Sequence, residues 1–191
     1  EYIKFGEQFA KRKLTWETDD ISLQNIQARV RAPSVWMIAN ISNSLLLSTS
    51  NRSEAAVGYA TMDGDTCGGL SPIAGIDKSF IRRWLNRLAT TTEFHDLQLV
   101  VKQQPTAELR PAERSQTDET DLMPYDILNF IEEAAIRDKQ GPAEVYIRLS
   151  ERFTTTPAAF LINYIERFFR LWARNQWKRE RYAVALHLDD R

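Results

Sequence analysis

The chain has 191 residues, 43% of them hydrophobic, enough for one domain with a core of its own. Its 25 basic and 26 acidic residues leave a formal charge of −1, so no global field directs it to nucleic acid or to a membrane surface. A single cysteine, Cys67, excludes an internal disulfide framework and a multi-cysteine zinc site, His95 and His187 lie far apart, and no apolar run approaches the roughly 20 residues that span a bilayer.

Residues 1 to about 18 carry scattered charges, no signal-peptide pattern and only weak alternation, and read as an irregular lead-in to a protein of the cytoplasm. Because Glu1 is not an initiator residue, the expectation is a piece of something larger. Asp19 and Asp20 are candidate N-caps for a helix that buries Leu23, Ile26, Val30 and Met37. Pro33 falls inside that helix and predicts a kink or a break, since an interior proline costs about 3 kcal/mol. Leu45–Leu47 is a short apolar run with the look of a buried central strand. It ends in the small polar residues Ser48, Thr49, Ser50 and Asn51, and a helix follows from about Ser53. In open α/β sheets such strand ends are where ligands collect. Residues 58–75 read as a loop. A helix from Asp77 places Phe80, Ile81, Trp84, Leu85 and Leu88 at core spacing, a turn-like connector follows over 89–95, and Leu97–Val101 suits either a short strand or a helix end. Residues 105–121 read as an extended surface loop. Helices are then predicted over 125–137, from Pro142, and over 157–180, the last with an aromatic stripe of Phe160, Tyr164, Phe168 and Trp172 that suits core or subunit packing.

Few of these stretches carry chemistry by spacing alone. Thr49 and Glu54 can bind a phosphate and a hard cation, yet a glutamate in a first helical turn is also an ordinary partner of the helix dipole. Asn25 and Arg29, four apart, share a helix face that can grip an anion or simply face solvent. Lys78, in the first turn of its helix, suits an anion ligand or a solvated surface. Asp63-Gly64-Asp65 lacks the spacing of a calcium loop, and the charged stretches 113–121 and 178–181 read as solvated surface.

Taken together and in order, the motifs say more. LQNIQARVRAP at 23–33, LLSTSNRSEAAVGYATMDGD at 46–65, SPIAGIDK at 71–78, PTAELRP at 105–111, QTDETDLMPYDIL at 116–128 and NQWKRERY at 175–182 followed by HLDD resemble the NAD⁺ synthetase family, in its longer, glutamine-dependent branch. The resemblance implies an α/β, partly Rossmann-like domain of the adenine nucleotide alpha hydrolase-like, ATP-pyrophosphatase type, with a helix-rich C-terminal portion, and residues 1–191 as the C-terminal part of one such domain. It implies ATP-dependent amidation of deamido-NAD⁺ through an adenylate, with Mg²⁺, with ammonia supplied from glutamine by a separate amidase domain, and in a homodimer or larger homo-oligomer. By motif, Thr49, Lys78 and Thr106 match ATP contacts. Glu54 matches the Mg²⁺ ligand and also lies near deamido-NAD⁺. Asn25, Arg29, Tyr59, Ala60, Thr61, Met62 and Lys178 match deamido-NAD⁺ contacts. Met62 stands where short family members carry lysine, and Gly69 where they carry aspartate. The phosphate loop SGGxDS and the amidase residues do not occur in the sequence, and Cys67 in its glycine loop is no nucleophile, so no catalytic side chain is assigned and these residues alone are expected to be inactive. The competing readings are a non-catalytic dinucleotide-binding or subunit-interaction module on the same fold, and an ATP-pyrophosphatase that amidates another carboxylate.

Overall fold

A computed structural model describes residues 1–111 and 117–186. The HLDD motif at 187–190 and residues 113–116 of the charged stretch 113–121 lie outside the described residues. Eleven α-helices are described, and extended pairing is limited to two parallel bridges, Leu47 with Leu70 and Ser71 with Ala185.

The lead-in is a helix, α1 (Tyr2–Ala10), rather than a loop. Tyr2, Phe5 and Phe9 recur at helical spacing, and Lys11 ends the helix in the left-handed region at φ 54°. All three aromatic rings are exposed. The next helix breaks as predicted, but at Val30, into α2 (Asp20–Arg29) and α3 (Arg31–Ile41), which leaves Pro33 in the first turn of α3, where its missing N–H costs little. The break rotates the predicted stripe: Leu23 stays buried, whereas Val30 and Met37 are exposed. Asp19 caps by position only, because its carboxylate holds the Arg12 guanidinium, the Thr15 N–H and the Thr18 hydroxyl.

The core forms where four helices meet. α8 (Tyr125–Glu132) contributes Ile127, Leu128 and Ile131, α9 (Pro142–Arg152) contributes Val145 and Leu149, and α10 (Ala158–Arg174) contributes Leu161, Ile165 and Phe168. Each set has spacings of one, three or four, one helical face apiece. Pro142 occupies the first turn of α9, as its fixed φ predicts. α8 runs into a π-helical turn, Glu133–Arg137, where the Asp138 N–H reaches back five residues to the Glu133 carbonyl at 3.0 Å. α10 stops at Asn175, and a separate turn, α11 (Gln176–Arg179), follows. In the aromatic stripe Phe168 is fully buried and stacks on Trp172, while Phe160 is exposed.

The fourth helix, α4 (Arg52–Val57), packs Ala56 and Val57 into this core. Beside it α5 (Lys78–Leu88) is capped by Asp77, whose Oδ1 accepts from the Phe80 N–H at 2.7 Å. Phe80 and Trp84 are nevertheless exposed, against the core spacing read from sequence. α6 (Leu97–Val101) settles the ambiguous LQLVV segment as helix, and the 105–121 loop closes with a short helix, α7 (Asp118–Asp121).

Leu45–Leu47 departs most from expectation. Only one edge of the segment is paired among the described residues, with the Gly69 N–H on the Leu46 carbonyl and the Ser48 N–H on the Leu70 carbonyl, each at 2.8 Å. A buried parallel strand needs a partner on both edges and cover on both faces. Leu45 and Leu47 have neither and are exposed.

Candidate functional site

Three extended segments lie side by side: 46–48 beside 69–71, and Ser71 in turn donating its N–H to the Val184 carbonyl at 2.8 Å. At the carboxyl end of the first, the chain turns into α4 through a reciprocal cap. Asn51 Oδ1 accepts from the Glu54 N–H at 3.0 Å, and Glu54 Oε2 accepts from the Asn51 N–H at 3.3 Å. The capping alternative for Glu54 is therefore realised. It leaves Oε1, which accepts from Lys78 Nζ at 2.8 Å. The same ammonium lies 3.7 Å from Asp118 Oδ2, which receives the Tyr125 hydroxyl at 2.6 Å. Asn51 is buried, so Asn51→Ala is expected to destabilise the protein by about 1 kcal/mol, with Asn51→Ser close to wild type, as read from denaturation midpoints.

Around this turn lies one groove of connected cavities. The first, of about 400 Å³, has Thr49, Lys78 and Thr106 in its wall, together with Ile81 and Leu85 of α5. The second, of about 330 Å³, shares those three residues and adds Glu54, Tyr59 and Asp65. The third, of about 310 Å³, shares Tyr59 and Asp65 and adds Asn25, Ala60, Thr61 and Lys178. The segment 105–110 crosses the groove as a strap. Its Glu108 carbonyl takes bonds from Gln27 Nε2 and Arg31 Nη2 at 3.1 and 3.2 Å, and its Arg110 is paired twice with Asp20, at 2.9 and 2.7 Å.

Nine of the eleven residues singled out by motif line this groove. The other two do not. Arg29 donates from Nε to the Met62 carbonyl at 2.9 Å and faces a separate cleft beside Trp36 and Arg181, so Asn25 and Arg29 line different cavities. Met62 is buried, 3% exposed, and lines none of these cavities.

The polar groups of the groove are mutually engaged. Asn25 Oδ1 accepts from the Thr61 hydroxyl at 3.3 Å, and Asp65 Oδ2 accepts from the Thr61 N–H at 2.7 Å. Tyr59 donates its hydroxyl to Asp121 Oδ2 at 2.7 Å; burial and that carboxylate push its pKa up, which keeps the phenol a neutral donor. Lys178 donates to the Gly58 and Ala60 carbonyls, both at 2.8 Å; burial pushes its pKa down, opposed by Asp65.

No cluster of three or more His, Cys, Asp or Glu side chains placed for a metal ion occurs among the described residues. Glu54 alone fits the way Mg²⁺ is held at nucleotide sites, where one or two carboxylates act together with phosphate oxygens.

Sequence reasoning gave no role to Arg52, Asp118 or Arg110, and Asp65 entered it only through the Asp63-Gly64-Asp65 stretch that lacks the spacing of a calcium loop. Arg52 stands inside the STSNRSE motif and Asp118 inside QTDETDLMPYDIL. Arg110 meets Asp20 across 90 positions, a pairing that no local pattern announces.

With the geometry in place, known proteins supply context. The family model described as NAD synthase matches residues 2–181. Glutamine-dependent NAD(+) synthetase of Synechocystis is 35% identical over 88% of this chain and 28% of that protein. The Aquifex aeolicus protein of the same description is 41% identical over 67% of this chain and 22% of its own length. The crystal structure of a glutamine-dependent NAD(+) synthetase from Cytophaga hutchinsonii superposes with a TM-score of 0.82 at 47% identity, over 99% of this chain and 29% of that one. The chain thus spans under a third of the length of these relatives.

Proposed function

The chain belongs to the NAD synthase family, and from that premise we propose that it is the C-terminal portion of the synthetase domain of a glutamine-dependent enzyme that converts deamido-NAD⁺ to NAD⁺ with ATP. The reading is carried by the groove, which gathers residues from five separated motifs along one path: Thr49, Glu54, Lys78 and Thr106 toward one end, Asn25, Ala60, Thr61 and Lys178 toward the other, and Tyr59 between them. The three short parallel segments and the strand-to-helix turn at Asn51 fit one part of a Rossmann-like, ATP-pyrophosphatase type of sheet.

The chemistry joins two polyanions, so positioning and charge compensation dominate. A nicotinate carboxylate oxygen attacks the α-phosphorus of ATP, and the bond to pyrophosphate breaks. Ammonia then attacks the carbonyl carbon, loses a proton, and AMP departs with the former carboxylate oxygen. Lys78 trades its Glu54 partner for an ATP phosphate oxygen, a reading supported by their pair in the cavity wall, while the hydroxyls of Thr49 and Thr106 bond the nucleotide. Lys178, Asn25 and Thr61 hold the dinucleotide. Mg²⁺, held by Glu54 with phosphate oxygens, would neutralise charge on the transferring group. Ammonia arrives from a separate amidase domain, and the enzyme works in the cytoplasm as a homodimer or larger homo-oligomer.

The test is direct. The full-length protein carrying this chain, given deamido-NAD⁺, ATP, Mg²⁺ and either glutamine or ammonia, is expected to form NAD⁺, AMP and pyrophosphate in equal amounts. Release of ADP and phosphate, or no NAD⁺, overturns the proposal. The 191 residues alone are expected to give no ATP–pyrophosphate exchange.

A further inference from the structure

α4 has six residues, so the carbonyls of its last turn find few partners within the helix itself. Each one is accounted for. The Tyr59 and Gly58 N–H groups satisfy Glu54 and Ala55, at 2.9 and 3.2 Å. The remaining carbonyls are taken by side chains of a segment more than a hundred residues away. Arg179 Nη1 donates to the Ala56 carbonyl at 3.2 Å, Asn175 Nδ2 to Val57 at 2.8 Å, and Lys178 Nζ to both Gly58 and Ala60 at 2.8 Å.

The donors sit at i, i+3 and i+4, so the single turn of α11 presents them together, and two of them are cations placed at a helix C-terminus. The clamp is itself braced. Arg179 Nη2 donates to the Trp172 carbonyl at 3.0 Å, and its guanidinium lies 3.8 Å from the Trp172 ring centroid. Gly58, in the left-handed region at φ 65°, lies so close to Asn175 that an added Cβ would come within 2.4 Å of the asparagine Cβ.

We infer that Asn175 and Arg179, neither of which lines the groove, are positioning residues that set the Gly58–Thr61 wall of the site through the carbonyl end of α4. This deepens the function proposed above and rests on it. The two ends of α4 are anchored differently. The amino end is held by the Asn51 cap, the Arg52–Glu132 pair and the Lys78–Glu54 pair, whereas at the carboxyl end Ala56 and Val57 pack into the core and the carbonyls from Ala56 to Ala60 that lead into the groove wall depend on α11. Loosening α11 therefore moves the dinucleotide side of the groove and spares the ATP side.

The test uses Asn175→Asp in the full-length protein, because aspartate keeps the shape and loses the donor to Val57. The KM for deamido-NAD⁺ is expected to rise about tenfold while the KM for ATP stays within about twofold, since an unsatisfied buried carbonyl is what the change leaves behind. Hydrogen exchange is expected to quicken over residues 55–62 and to stay unchanged in α9 and α10. Arg179→Lys, which keeps one donor for Ala56, is expected to give a milder form of the same pattern and serves if Asn175→Asp does not fold. Unchanged exchange at 55–62, or equal rises in both KM values, overturns the inference. A wild-type protein that makes no NAD⁺ overturns the function instead, and the exchange pattern then still decides whether the clamp exists.

Discussion

Arg52→Leu is expected to destabilise the protein by about 3–5 kcal/mol, the largest stability change of any substitution considered. The Arg52 guanidinium ties α4 to α8 and to the segment that leads into α5. Nε donates to Glu132 Oε1 of α8 at 2.5 Å, Nη1 to the Gly75 carbonyl at 3.4 Å, and Nη2 to Asp77 Oδ2 at 3.5 Å and to Asn129 Oδ1 at 3.4 Å. The Glu132 side chain is 3% exposed and that of Arg52 14%, so leucine would leave a carboxylate in the interior without its counter-charge. Burial already pushes the Glu132 pKa up, with Arg52 and the Ser53 hydroxyl opposing it. A carboxyl whose pKa is higher folded than unfolded binds protons more readily in the native state, so stability attributable to it rises as pH falls through the window between those two values. Without Arg52 that window widens upward. The loss in Arg52→Leu should accordingly be greatest at pH 8 and shrink toward pH 5, as Glu132 takes up a proton. Glu132→Gln, which keeps an acceptor for the guanidinium, should show little pH dependence of its own. Urea denaturation followed by tryptophan fluorescence at the two pH values checks both results. A loss under 1 kcal/mol at pH 8 would contradict the buried-pair account.

This hub also shows what could and could not be read in advance. The helices around the core were legible wherever one face is apolar and the ends carry caps. The helix over 125–137, Phe168 in the last helix, Pro142 at a first turn and a helix start at Asp77 are all local signals, and the structure follows them. The misses have a common cause. Tyr2, Phe5 and Phe9 form a helical stripe that nothing in the described residues covers, so an exposed aromatic face looked like no face at all. Phe80 and Trp84 have core spacing without core neighbours, and Leu45–Leu47 has strand composition with one paired edge. Periodicity reports which face is apolar, and only tertiary partners decide whether it is buried. The groove was legible as motifs and not as contacts. Thr49, Glu54, Lys78 and Thr106 stood out because they fall in recognisable strings. Arg52, Arg110 and Asn175 act through pairings 80, 90 and 118 positions apart.

Glu54→Gln is expected to separate the observed helix cap from the metal- and phosphate-facing role proposed for this side chain, with a loss of about 10²-fold or more in the rate of NAD⁺ formation and almost no change in stability. Glutamine serves as well as glutamate in a reciprocal cap, since its carbonyl oxygen can accept from the Asn51 N–H as Glu54 Oε2 does. The charge on Oε1 is what glutamine lacks, and that oxygen faces Lys78 at 2.8 Å inside the groove. Were Glu54 only a helix cap, both stability and turnover would survive the change. Were it only a counter-charge for Lys78, turnover would return in Glu54→Gln when Lys78 is also made neutral as Lys78→Met. A metal- and phosphate-facing role predicts that the double substitution is worse than either single one, because two charges that would face the triphosphate are then gone. Steady-state rates and denaturation midpoints for the wild type, the two single variants and the double variant close that cycle. Glu54→Ala cannot make the distinction: it removes cap and charge together, about 1 kcal/mol of helix stability along with the carboxylate proposed to face the metal.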